Sequence, residues 1–558
     1  MITSANQVCA RVVSVLGQCG RVGHAVLSPG SRDVPLLVAF DNCQTIDCRV
    51  VIDERSAAFV GLGIADATGR PVAIVCTSGT APLNYAPALA EAYYRNVPLI
   101  AVTADRPAEW IDQDDSQTIR QPGIFSNFVK ATYDLPVGAS LRYVDRMLHD
   151  AVATALTHPQ GPVHINVQVD NPDGKTVEVS DDCQCRPVHR RDFSGLPVPE
   201  PAVAELARLV ADGKKVLIVA GYMPRDPAMD NALGRLLDNA NVVVVAESGA
   251  NLRLGNIIYN VEPTIAAVSG NDFARPDVVV TIGGSIVSGV LKKWLRDLPG
   301  VRLYCIKETA AAIDCYGQDY CHVQSTASSF LDRLAVMSHG NVTSDYRRIW
   351  LDASSVAAAR RDDYKRSAQW SAMVAVSTLI DMLPDDINLQ LSNGMAVRYA
   401  AMSDCRRFAT VSCNRGVSGI DGSTSTAIGF ASVARSQTVF VTGDMSCQYD
   451  IGAFGLNFIP DDFKIVVLNN GGGGIFKYIK ATRDIVEGPR WYDAPMNLPI
   501  EGLSGAYGFN YFSAASTAEL EAVFAGFMSA PGAILEIVTD AVTDVRVLND
   551  FYRKTTKK

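Results

Sequence analysis

Short runs of valine, isoleucine and leucine alternate along the chain with longer segments in which apolar residues recur at helical spacing. Apolar runs of about four to eight residues, bounded by glycine, proline, asparagine or aspartate, are typical of buried strands. Strands that alternate with helix-length segments predict parallel sheets joined by crossover helices. We therefore predict an α/β fold with three doubly wound, mainly parallel-sheet domains, at residues 1–182, 198–340 and 345–558.

Fourteen apolar runs are predicted to be strands. The first block contains HAVLSP, RVVID, PVAIVCTS, PLIAVTAD and PVHINVQ, the second contains KVLIVAG, NVVVVAES, DVVVTIGG and VRLYCI, and the third contains DINLQLSNG, FATVSC, QTVFVTGD, FKIVVLNN and GAILEIVTD. MITSANQVCARVVSVLGQCG predicts an amphipathic N-terminal helix, and DYRRIWLDASSVAAARRDDYKRSAQW predicts a charged helix before the third block. The polar, proline-bearing stretch DDCQCRPVHRRDFSGLPVPEP is typical of a linker.

Composition narrows the class of protein. The chain has 558 residues, of which 48% are hydrophobic and 20% charged, as in ordinary globular enzymes. Its formal net charge is −9 and it has no long basic run, which argues against a nucleic-acid partner. No stretch reaches the ~18 uncharged apolar residues of a membrane span, and the N-terminal stretch lacks the features of a signal peptide. Thirteen cysteines without a framework spacing favour the reducing cytoplasm.

Two cysteines and a nearby histidine could be interpreted as part of a metal-binding site. Cys183 and Cys185 are followed closely by His189. The spacing does not fit the usual zinc knuckles, and no second pair of cysteines is present at a spacing that would complete a four-ligand zinc site. We therefore predict that these side chains face solvent in a loop.

The loops that follow the predicted strands are where a ligand is expected. In open parallel sheets, ligands bind outside the carboxyl ends of the strands. The loops at those ends are SPGSRD, DERSAAF, TSGTAP, TADRP, GGSIVSG, TGDMS and NNGGGG. All but GGSIVSG belong to the first and third blocks, so we predict that these two blocks supply the site.

Two polar side chains in the third block follow apolar strands. VFVTGDMS places Asp444 directly after one strand, and KIVVLNNGG places Asn470 directly after the next. If the strands are neighbours, a carboxylate and an amide oxygen emerge at one sheet edge, where they suit Mg²⁺ together with a backbone carbonyl. Glycines let the Gly472 carbonyl turn inward and let backbone approach a diphosphate, which the amides opening the helix after Asp444 also suit. The alternative is that Asn469 and Asn470 cap a turn and Asp444 caps a helix.

The Gly-Asp pair, the stretch that follows and the two asparagines resemble the thiamine diphosphate motif of the pyruvate decarboxylase and acetolactate synthase class. That motif usually reads Gly-Asp-Gly, and here Met445 replaces the second glycine. The resemblance implies that Asp444, Asn470 and the Gly472 carbonyl hold Mg²⁺, with Mn²⁺ as an alternative ion. It also places four residues near the cofactor's diphosphate: Gly443, Met445, Ser446 and Gly473. A dinucleotide site is the rival interpretation, but no G-x-G-x-x-G follows the first strand with an acidic residue about 20 positions on.

Enzymes of this class need one glutamate at N1′ of the aminopyrimidine ring, where it promotes the imino tautomer, and the cofactor itself then supplies the base. The carboxyl should be shielded from water. Glu54 ends an apolar strand and opens an apolar helix, so on its own it could be a solvated first-turn residue that favours the helix dipole. The order strand, Glu54, helix, strand, TSGT resembles the pyrimidine-binding half of thiamine diphosphate enzymes and favours the catalytic role. Asp53 and Arg55 are expected to be structural.

Apolar residues are expected beside the cofactor rings. NRGVSGIDGSTSTAIG resembles the segment whose bulky residue bends the cofactor, and Ile420 falls at the matching place. The alternative is that Ile420 is a core residue. The resemblance also places Met395 at the cofactor, and Ile475 and Phe476 would pack against the cofactor or a substrate.

Several segments together resemble one family within this class. They are LSPGSRDVPL, DERSAAFVGLGIADATGRPVAIVCTSGTAP, TADRPAEWIDQDDSQTIRQ, NGMAVRY, NRGVSGIDGSTSTA and NNGGGGIF. The family is 2-succinyl-5-enolpyruvyl-6-hydroxy-3-cyclohexene-1-carboxylate (SEPHCHC) synthase of menaquinone biosynthesis, and the middle block carries much weaker signals. The resemblance implies thiamine diphosphate-dependent decarboxylation of 2-oxoglutarate and 1,4-addition of the succinyl carbanion to isochorismate. It also implies a homodimer or homotetramer with active sites at the subunit interface.

Those substrates carry four carboxylates, which guanidinium groups bind well. By the resemblance, Arg398 and Arg415 receive the carboxylate of the oxoglutarate-derived group. Three residues would contact isochorismate: Ser31, Arg32 and Gln117. Arg106 is a further substrate candidate, although an Asp-Arg-Pro corner can also brace a loop. Later proton transfers could use water bound to Gln117 or the cofactor's amine.

The chain departs from the family pattern in three places. Ser116 stands where asparagine is common, and Gly394 stands where serine is common. In the middle block, the expected cationic pair is replaced by Val290 and Leu291, and two lysines, Lys292 and Lys293, follow. The sequence leaves open whether either lysine substitutes for that pair.

Two other functions remain compatible with the sequence. An acetolactate synthase-like carboligase or 2-oxoacid decarboxylase would turn over without isochorismate and would have a more apolar pocket. A catalytically silent protein of this fold could bind a pathway metabolite, but it need not retain Glu54, Asp444 and Asn470.

Overall fold

The computed structural model describes residues 2–18, 21–178, 196–338, 340, 342–485 and 488–555. Three large parallel sheets and one small antiparallel sheet account for the strands of these residues, which confirms the predicted α/β class. The strands are Ile2–Ser4 (β1), His24–Ser28 (β2), Asp47–Val50 (β3), Val72–Cys76 (β4), Leu99–Asp105 (β5), Thr132–Leu135 (β6), Val163–Gln168 (β7), Thr176–Glu178 (β8), Val216–Ala220 (β9), Val242–Ala246 (β10), Val278–Ile282 (β11), Arg302–Lys307 (β12), Asp319–Gln324 (β13), Asn388–Leu391 (β14), Thr410–Cys413 (β15), Thr438–Gly443 (β16), Lys464–Asn469 (β17), Asn510–Ala514 (β18) and Ala533–Val538 (β19).

Helices connect most of these strands. They are Gln7–Gln18 (α1), Val34–Asp41 (α2), Glu54–Thr68 (α3), Ala86–Arg95 (α4), Leu141–Leu156 (α5), Glu200–Ala211 (α6), Pro227–Leu236 (α7), Val261–Val268 (α8), Gly289–Asp297 (α9), Ala327–Met337 (α10), Tyr346–Ser367 (α11), Ala372–Met382 (α12), Met395–Ala400 (α13), Ser423–Ala431 (α14), Asp444–Tyr449 (α15), Lys480–Arg483 (α16), Gly488–Trp491 (α17), Ile500–Tyr507 (α18), Thr517–Ser529 (α19) and Ala541–Thr555 (α20). Short 3-10 turns cover Pro82–Tyr85, Ala108–Trp110, Ser248–Ala250, Asp272–Ala274, Ile451–Gly455 and Gly474–Lys477.

The chain forms two compact units. The first unit comprises Met1–Ser194, Gly416–Arg435 and Tyr449–Pro460, and the second comprises Gly195–Arg415, Ser436–Gln448 and Asp461–Lys558. The boundaries of the three domains stay predictions.

The first unit contains a six-stranded parallel sheet in the order β3-β2-β4-β5-β7-β6. Its central strands are buried on both faces, because alternate residues of β2 and β4 belong to different core clusters. Ala25 and Val75 pack with one cluster, and Val26 and Ile74 pack with the other. Burial on both faces explains why these strands read as continuous apolar runs rather than alternating ones.

The second unit contains two parallel sheets. The central sheet has the order β10-β9-β11-β12-β13, and the third sheet has the order β15-β14-β16-β17-β19-β18. In each of the three large sheets, one strand lies between the two strands that follow it in the sequence. These central strands are β2, β9 and β14. This reversal of strand order is a switch point, where a crevice opens at the carboxyl ends.

All fourteen predicted strands are present, and five strands were missed: β1, β6, β8, β13 and β18. The predicted N-terminal helix begins only at Gln7, because Ile2–Ser4 pairs with Thr176–Glu178 as a strand. The predicted charged helix is α11. Most of the predicted linker, with Cys183, Cys185 and His189, lies outside the described residues. Within the described residues, none of the helices has both the length and the hydrophobicity that crossing a bilayer requires.

Candidate functional site

The switch point of the third sheet lies between β14 and β16. Ser392 follows β14, and its hydroxyl oxygen accepts a hydrogen bond from the Gly443 N–H at the end of β16 (3.3 Å). Asp444 comes next and begins α15. β16 and β17 are parallel neighbours, with Gly443 opposite Leu468. Asp444 and Asn470 therefore emerge at the same sheet edge, as the sequence predicted on the condition that their strands were adjacent.

The buried carboxylate of Asp444 holds the glycine-rich loop. One oxygen accepts the N–H of Met445 (2.7 Å), and the other accepts the N–H groups of Gly471 and Gly472 (2.9 Å each). Burial raises the pKa of Asp444, while these backbone bonds act to lower it. The carboxylate and the glycine loop are therefore fixed to each other before any ligand is considered.

The glycines of this loop are required by the protein's own backbone as well. Gly472 has φ of 144°, and a Cβ there would overlap the carbonyl oxygen of Asp493. The next residue, Gly473, donates its N–H to the same oxygen (2.6 Å). The sequence analysis explained these glycines by a diphosphate and its metal; the close approach of residues 492–493 is a further reason.

The residues at this edge fit a hard cation. Asn470 donates its side-chain N–H to Asp544 (3.0 Å), which leaves the amide oxygen as its acceptor end. With the Asp444 carboxylate and a backbone carbonyl of the loop, it offers the oxygen ligands that Mg²⁺ prefers. The part of the chain that the structure describes contains no cluster of three or more His, Cys, Asp or Glu suited to a metal. Asp544, which orients Asn470, was missed because it lies on α20, far away in sequence.

Two half-buried or buried arginines lie close together near the same switch point. Arg398, on α13, donates to the Gly394 carbonyl (2.6 Å), and Arg415, after β15, donates to the side-chain oxygen of Asn393 (3.0 Å). Burial lowers the pKa of Arg398, and the positive charge of Arg415 lowers it further. Within the described residues, the buried Nε of Arg415 has no hydrogen-bond partner. Two adjacent guanidinium groups with an unused donor are suited to a carboxylate.

The structure distinguishes the two lysines of α9. Lys293 is exposed and pairs with Asp297 one turn along α9. Lys292 is half-buried; burial lowers its pKa, and the charge of Arg415 lowers it further. Glu247 holds the start of this region, since its carboxylate accepts the N–H groups of Val287 and Ser288 (2.6 Å each). Of the two lysines, Lys292 is therefore the partly buried one whose charge acts on that of Arg415.

Three further predicted cofactor residues at this edge, Met395, Ile475 and Phe476, are half-buried. Met395 opens the helix that carries Arg398. Ile475 and Phe476 lie in the 3-10 turn after the glycines, and the Phe476 ring contacts that of Tyr492 with centroids 5.1 Å apart. Ser446 is buried in the first turn of α15.

In the first unit, the switch point lies between β2 and β4. Arg32 donates its backbone N–H to the Thr77 hydroxyl (3.2 Å), which joins the loops that follow these two strands. Its guanidinium donates to the carbonyls of Val169 and Asp170 (3.0 Å each). Burial lowers the pKa of Arg32, and the charge of Arg106 lowers it further, so two cations again lie near each other.

Three further predicted substrate residues lie at this edge. Arg106 pairs with Asp115 (2.8 Å) and donates to the Ser116 carbonyl (3.3 Å), which is the bracing contact considered as its alternative role. The Ser78 hydroxyl donates to the Gln117 carbonyl (2.9 Å). Ser31 and Gln117 are exposed. The structure thus brings Arg32, Arg106 and Gln117 to one end of the first sheet.

Glu54 is the first residue of α3 and is partly exposed in this chain. Asp53 caps the helix, because its carboxylate accepts the N–H groups of Arg55 (3.0 Å) and Ser56 (3.4 Å). Arg55 donates to the Tyr449 carbonyl (2.9 Å). These contacts agree with the structural roles predicted for the two neighbours of Glu54.

The helix that begins at Glu54 packs closely on α14. A Cβ on Gly63 would overlap the Thr426 carbonyl oxygen, and a Cβ on Gly429 would overlap that of Val60. The loop before α14 carries Ile420, which is 37% exposed, so the alternative that it is a core isoleucine does not hold. Within the first unit, the packing of α3 on α14 therefore fixes the segments that carry Glu54 and Ile420.

Comparison with known proteins agrees with this arrangement. Residues 7–124 match the family described as thiamine pyrophosphate enzyme, N-terminal TPP binding domain. The chain is 35% identical over 541 residues to the 2-succinyl-5-enolpyruvyl-6-hydroxy-3-cyclohexene-1-carboxylate synthase of Porphyromonas gingivalis, covering 94% of this chain and 93% of the relative. Proteins of the same name from Flavobacterium psychrophilum and Bacteroides fragilis are 35% and 33% identical, and each alignment covers 96% of this chain and 98% and 96% of the relatives.

Proposed function

The chain belongs to the 2-succinyl-5-enolpyruvyl-6-hydroxy-3-cyclohexene-1-carboxylate synthase family of thiamine diphosphate enzymes, and on that premise we propose that its substrates are 2-oxoglutarate and isochorismate. It decarboxylates 2-oxoglutarate and adds the remaining succinyl carbanion to isochorismate in a 1,4 sense. The products are SEPHCHC and CO₂, and the reaction is a step of menaquinone biosynthesis.

The observation that carries this proposal is the guanidinium pair of Arg398 and Arg415. A 2-oxoacid with a second, distal carboxylate needs a fixed cationic group that an apolar 2-oxoacid such as pyruvate does not need. The Nε of Arg415 has no hydrogen-bond partner within the described residues, and the half-buried Lys292 contributes a further positive charge that acts on Arg415. This arrangement supports a dicarboxylate substrate over the acetolactate synthase-like alternative.

The cofactor residues of the second unit are proposed from their position at one sheet edge. Asp444, Asn470 and the Gly472 carbonyl would hold Mg²⁺, or Mn²⁺ in its place, next to the diphosphate. Four residues would surround the diphosphate itself: Gly443, Met445, Ser446 and Gly473. The helix N-terminus at Asp444 adds backbone N–H groups that favour an anion.

The remaining cofactor residues act on the rings. Thiamine diphosphate, when bound, supplies the nucleophilic carbon and the electron sink that decarboxylation requires. Glu54 would hold a proton at N1′ of the aminopyrimidine, and Ile420 would support the bend between the rings. Met395, Ile475 and Phe476 would exclude water from the reacting groups.

Isochorismate is assigned to the cations and amide at the edge of the first sheet. Arg32 and Arg106 offer guanidinium groups to its carboxylates, and Ser31 and Gln117 offer exposed hydrogen-bonding side chains. Gln117 would also hold a water molecule for the later proton transfers.

The active site is proposed to form between two copies of the chain, as a homodimer or homotetramer. The support for this assembly is the exposure of two residues that the proposed reaction needs shielded from water. In a single chain Glu54 is partly exposed and Ile420 is 37% exposed. Sedimentation of the purified protein tests this assembly, and a monomer at assay concentration would overturn it. The cytoplasmic location stays a prediction from the cysteine pattern.

One assay tests the reaction. The purified protein, Mg²⁺, thiamine diphosphate and 2-oxoglutarate are incubated with and without isochorismate, and both CO₂ and the isochorismate absorbance are followed. We expect CO₂ release and isochorismate loss in equal amounts. Sustained CO₂ release that does not depend on isochorismate would instead support the decarboxylase alternative, and no turnover at all would support the catalytically silent one.

A further inference from the structure

The segment that carries Gln117 has no helix or strand between its 3-10 turn and residue 121. Three of its residues, Asp112, Asp114 and Gln117, have positive φ between 54° and 61°. Residues in this left-handed region are held only where their surroundings fix them. The position of Gln117 therefore depends on what ties this segment to the rest of the first unit.

The deepest of these ties is the side chain of Gln121. It is fully buried, with 0% exposure. Its amide oxygen accepts the Gly79 N–H (3.2 Å), and its amide nitrogen donates to the Ala104 carbonyl and to the side-chain oxygen of Asn166 (2.9 Å each). One amide thus joins the segment to the TSGT loop after β4, to the end of β5 and to β7.

The same contacts determine what lies beneath Gln117. Gly79 has φ of 86°, and a Cβ there would lie 3.3 Å from the Cα of Gln117. The neighbouring Ser78 hydroxyl donates to the Gln117 carbonyl (2.9 Å). Because Gln121 holds the Gly79 N–H, it fixes the short loop on which the Gln117 backbone rests.

Asn166 extends the network toward the arginines. It donates to Asp105 (2.9 Å) and to Asp134 (2.7 Å), and Asp105 in turn accepts the Arg106 N–H (2.8 Å). The network therefore connects Gln121 to the loop that carries Arg106. A buried amide whose three hydrogen bonds are all made is expected to specify one geometry, since any rearrangement leaves a buried polar group unpaired.

We propose that Gln121 is a positioning residue for isochorismate: it holds Gln117, and with it the TSGT loop, in the geometry that receives the second substrate. This inference rests on the proposed function. It assigns no role to Gln121 in 2-oxoglutarate decarboxylation, because its bonds all lie at the edge of the first sheet where isochorismate is placed.

Two variants test the proposal. Gln121→Met keeps the volume and removes all three hydrogen bonds, and Gln121→Glu keeps the acceptor but loses both donated bonds while its carboxylate is ionised. We expect the isochorismate KM of both to rise by about tenfold, with the 2-oxoglutarate KM and single-turnover CO₂ release within about twofold of wild type. Lowering the pH should restore Gln121→Glu toward wild type more than Gln121→Met, because a protonated carboxyl regains one donor.

Gln168→Leu is the matched control. Gln168 donates to Asp134 (3.0 Å) on the far side of the same network, and within the described part of the chain its side chain makes no hydrogen bond to the 117–121 segment. We expect its isochorismate KM to equal that of wild type. An unchanged isochorismate KM in Gln121→Met, or an equal loss in both half-reactions with no pH rescue of Gln121→Glu, would overturn the proposal. Wild-type protein that does not consume isochorismate would instead refute the proposed function.

Discussion

The central and third sheets of the second unit share the same reversal of strand order, but the loops that follow their switch-point strands make different contacts. In the central sheet the chain closes over its switch point: Gly221 donates to the Ile282 carbonyl (3.0 Å), Gly284 donates to the Tyr222 carbonyl (2.6 Å), and the Lys307 amine donates to the Gly283 carbonyl. In the third sheet, Ser392 donates its N–H to the Val441 carbonyl (2.9 Å) and accepts the Gly443 N–H at its hydroxyl (3.3 Å), and the chain then turns into α13 after β14 and into α15 after β16.

This difference supports the proposal that the third sheet, and not the central one, carries the cofactor site, since topology alone does not determine where a ligand binds. Both edges are rich in glycine, as GGSIVSG and NNGGGG show. In the central sheet the glycines let two backbone segments pair with each other. In the third sheet they also allow a close backbone approach, to residues 492–493, but in addition they bring backbone N–H groups to the carboxylate of Asp444, with two arginines nearby. The two edges therefore differ in the polar side chains that could bind a ligand, which are Asp444 and the two arginines at the third sheet, and not in their glycines.

Removing the carboxylate at the third sheet should have the largest effect. Asp444→Ala loses both the proposed metal ligand and the anchor of Gly471 and Gly472, so we expect activity to fall by at least about a hundredfold. Thermal stabilisation by Mg²⁺ plus thiamine diphosphate should disappear. Lys307→Met, at the central sheet, is the control and should keep that stabilisation. Equal losses in both variants would remove the distinction between the edges.

A charge-conserving change at the arginine pair should have the next largest effect. Arg415→Lys keeps the positive charge but loses the planar fork, and we expect the 2-oxoglutarate KM to rise by roughly tenfold. Steady-state kinetics with varied 2-oxoglutarate measure it. Arg302→Lys, an exposed arginine of the central sheet that pairs with Glu205, is the control and should not change KM. A normal KM in Arg415→Lys would argue against a substrate carboxylate at this arginine.

A side chain on the glycine loop should have a moderate effect. Gly472→Ala places a Cβ against the Asp493 carbonyl at a φ of 144°, and we expect the free energy of unfolding in urea to fall by about 1–3 kcal/mol. Gly502→Ala is the control, because it lies in α18 with open space around it. There we expect a gain of up to about 1 kcal/mol. A neutral Gly472→Ala would mean that the loop does not need its observed conformation.

The smallest expected effect concerns pH at the central sheet. Burial lowers the pKa of Lys307 from its ordinary value of 10.5. Between its folded pKa and 10.5 the unfolded chain binds more protons than the folded one, so wild-type stability should rise with pH in that window. The melting temperature of wild type minus that of Lys307→Met, measured from pH 7.5 to pH 10, should therefore increase. A flat difference would mean that the lysine is not desolvated.

The sequence predicted the inner strands well because they are buried on both faces and read as apolar runs. The missed strands of the large sheets, β6, β13 and β18, are all edge strands in which polar and partly exposed residues interrupt the pattern. The missed pair β1 and β8 is short and mostly exposed. The opposite edge strands β3, β10 and β15 were predicted, so the limit of prediction from hydrophobic pattern lies at edge strands whose apolar run is interrupted by polar residues.

The candidate site shows a similar limit. Motifs at strand ends identified Asp444 and Asn470, because a strand followed by a polar residue is a local signal. The residues that position the candidate site residues were missed. Asp544, which binds Asn470, is distant from it in sequence, and Gln121, which supports Gln117, lies in no recognisable local pattern. The difference in burial between Lys292, which is half-buried, and Lys293, which is exposed, likewise required the fold, since the sequence does not show which of the two faces solvent.

A crystal structure of the protein grown with Mg²⁺ and thiamine diphosphate tests the distinction between the two sheets most directly. We expect the diphosphate at the carboxyl end of β16, with the metal bound by Asp444, Asn470 and the Gly472 carbonyl, and no ligand at Gly221 and Gly283. A diphosphate at the central sheet, or a metal that contacts neither Asp444 nor Asn470, would contradict the assignment of the site.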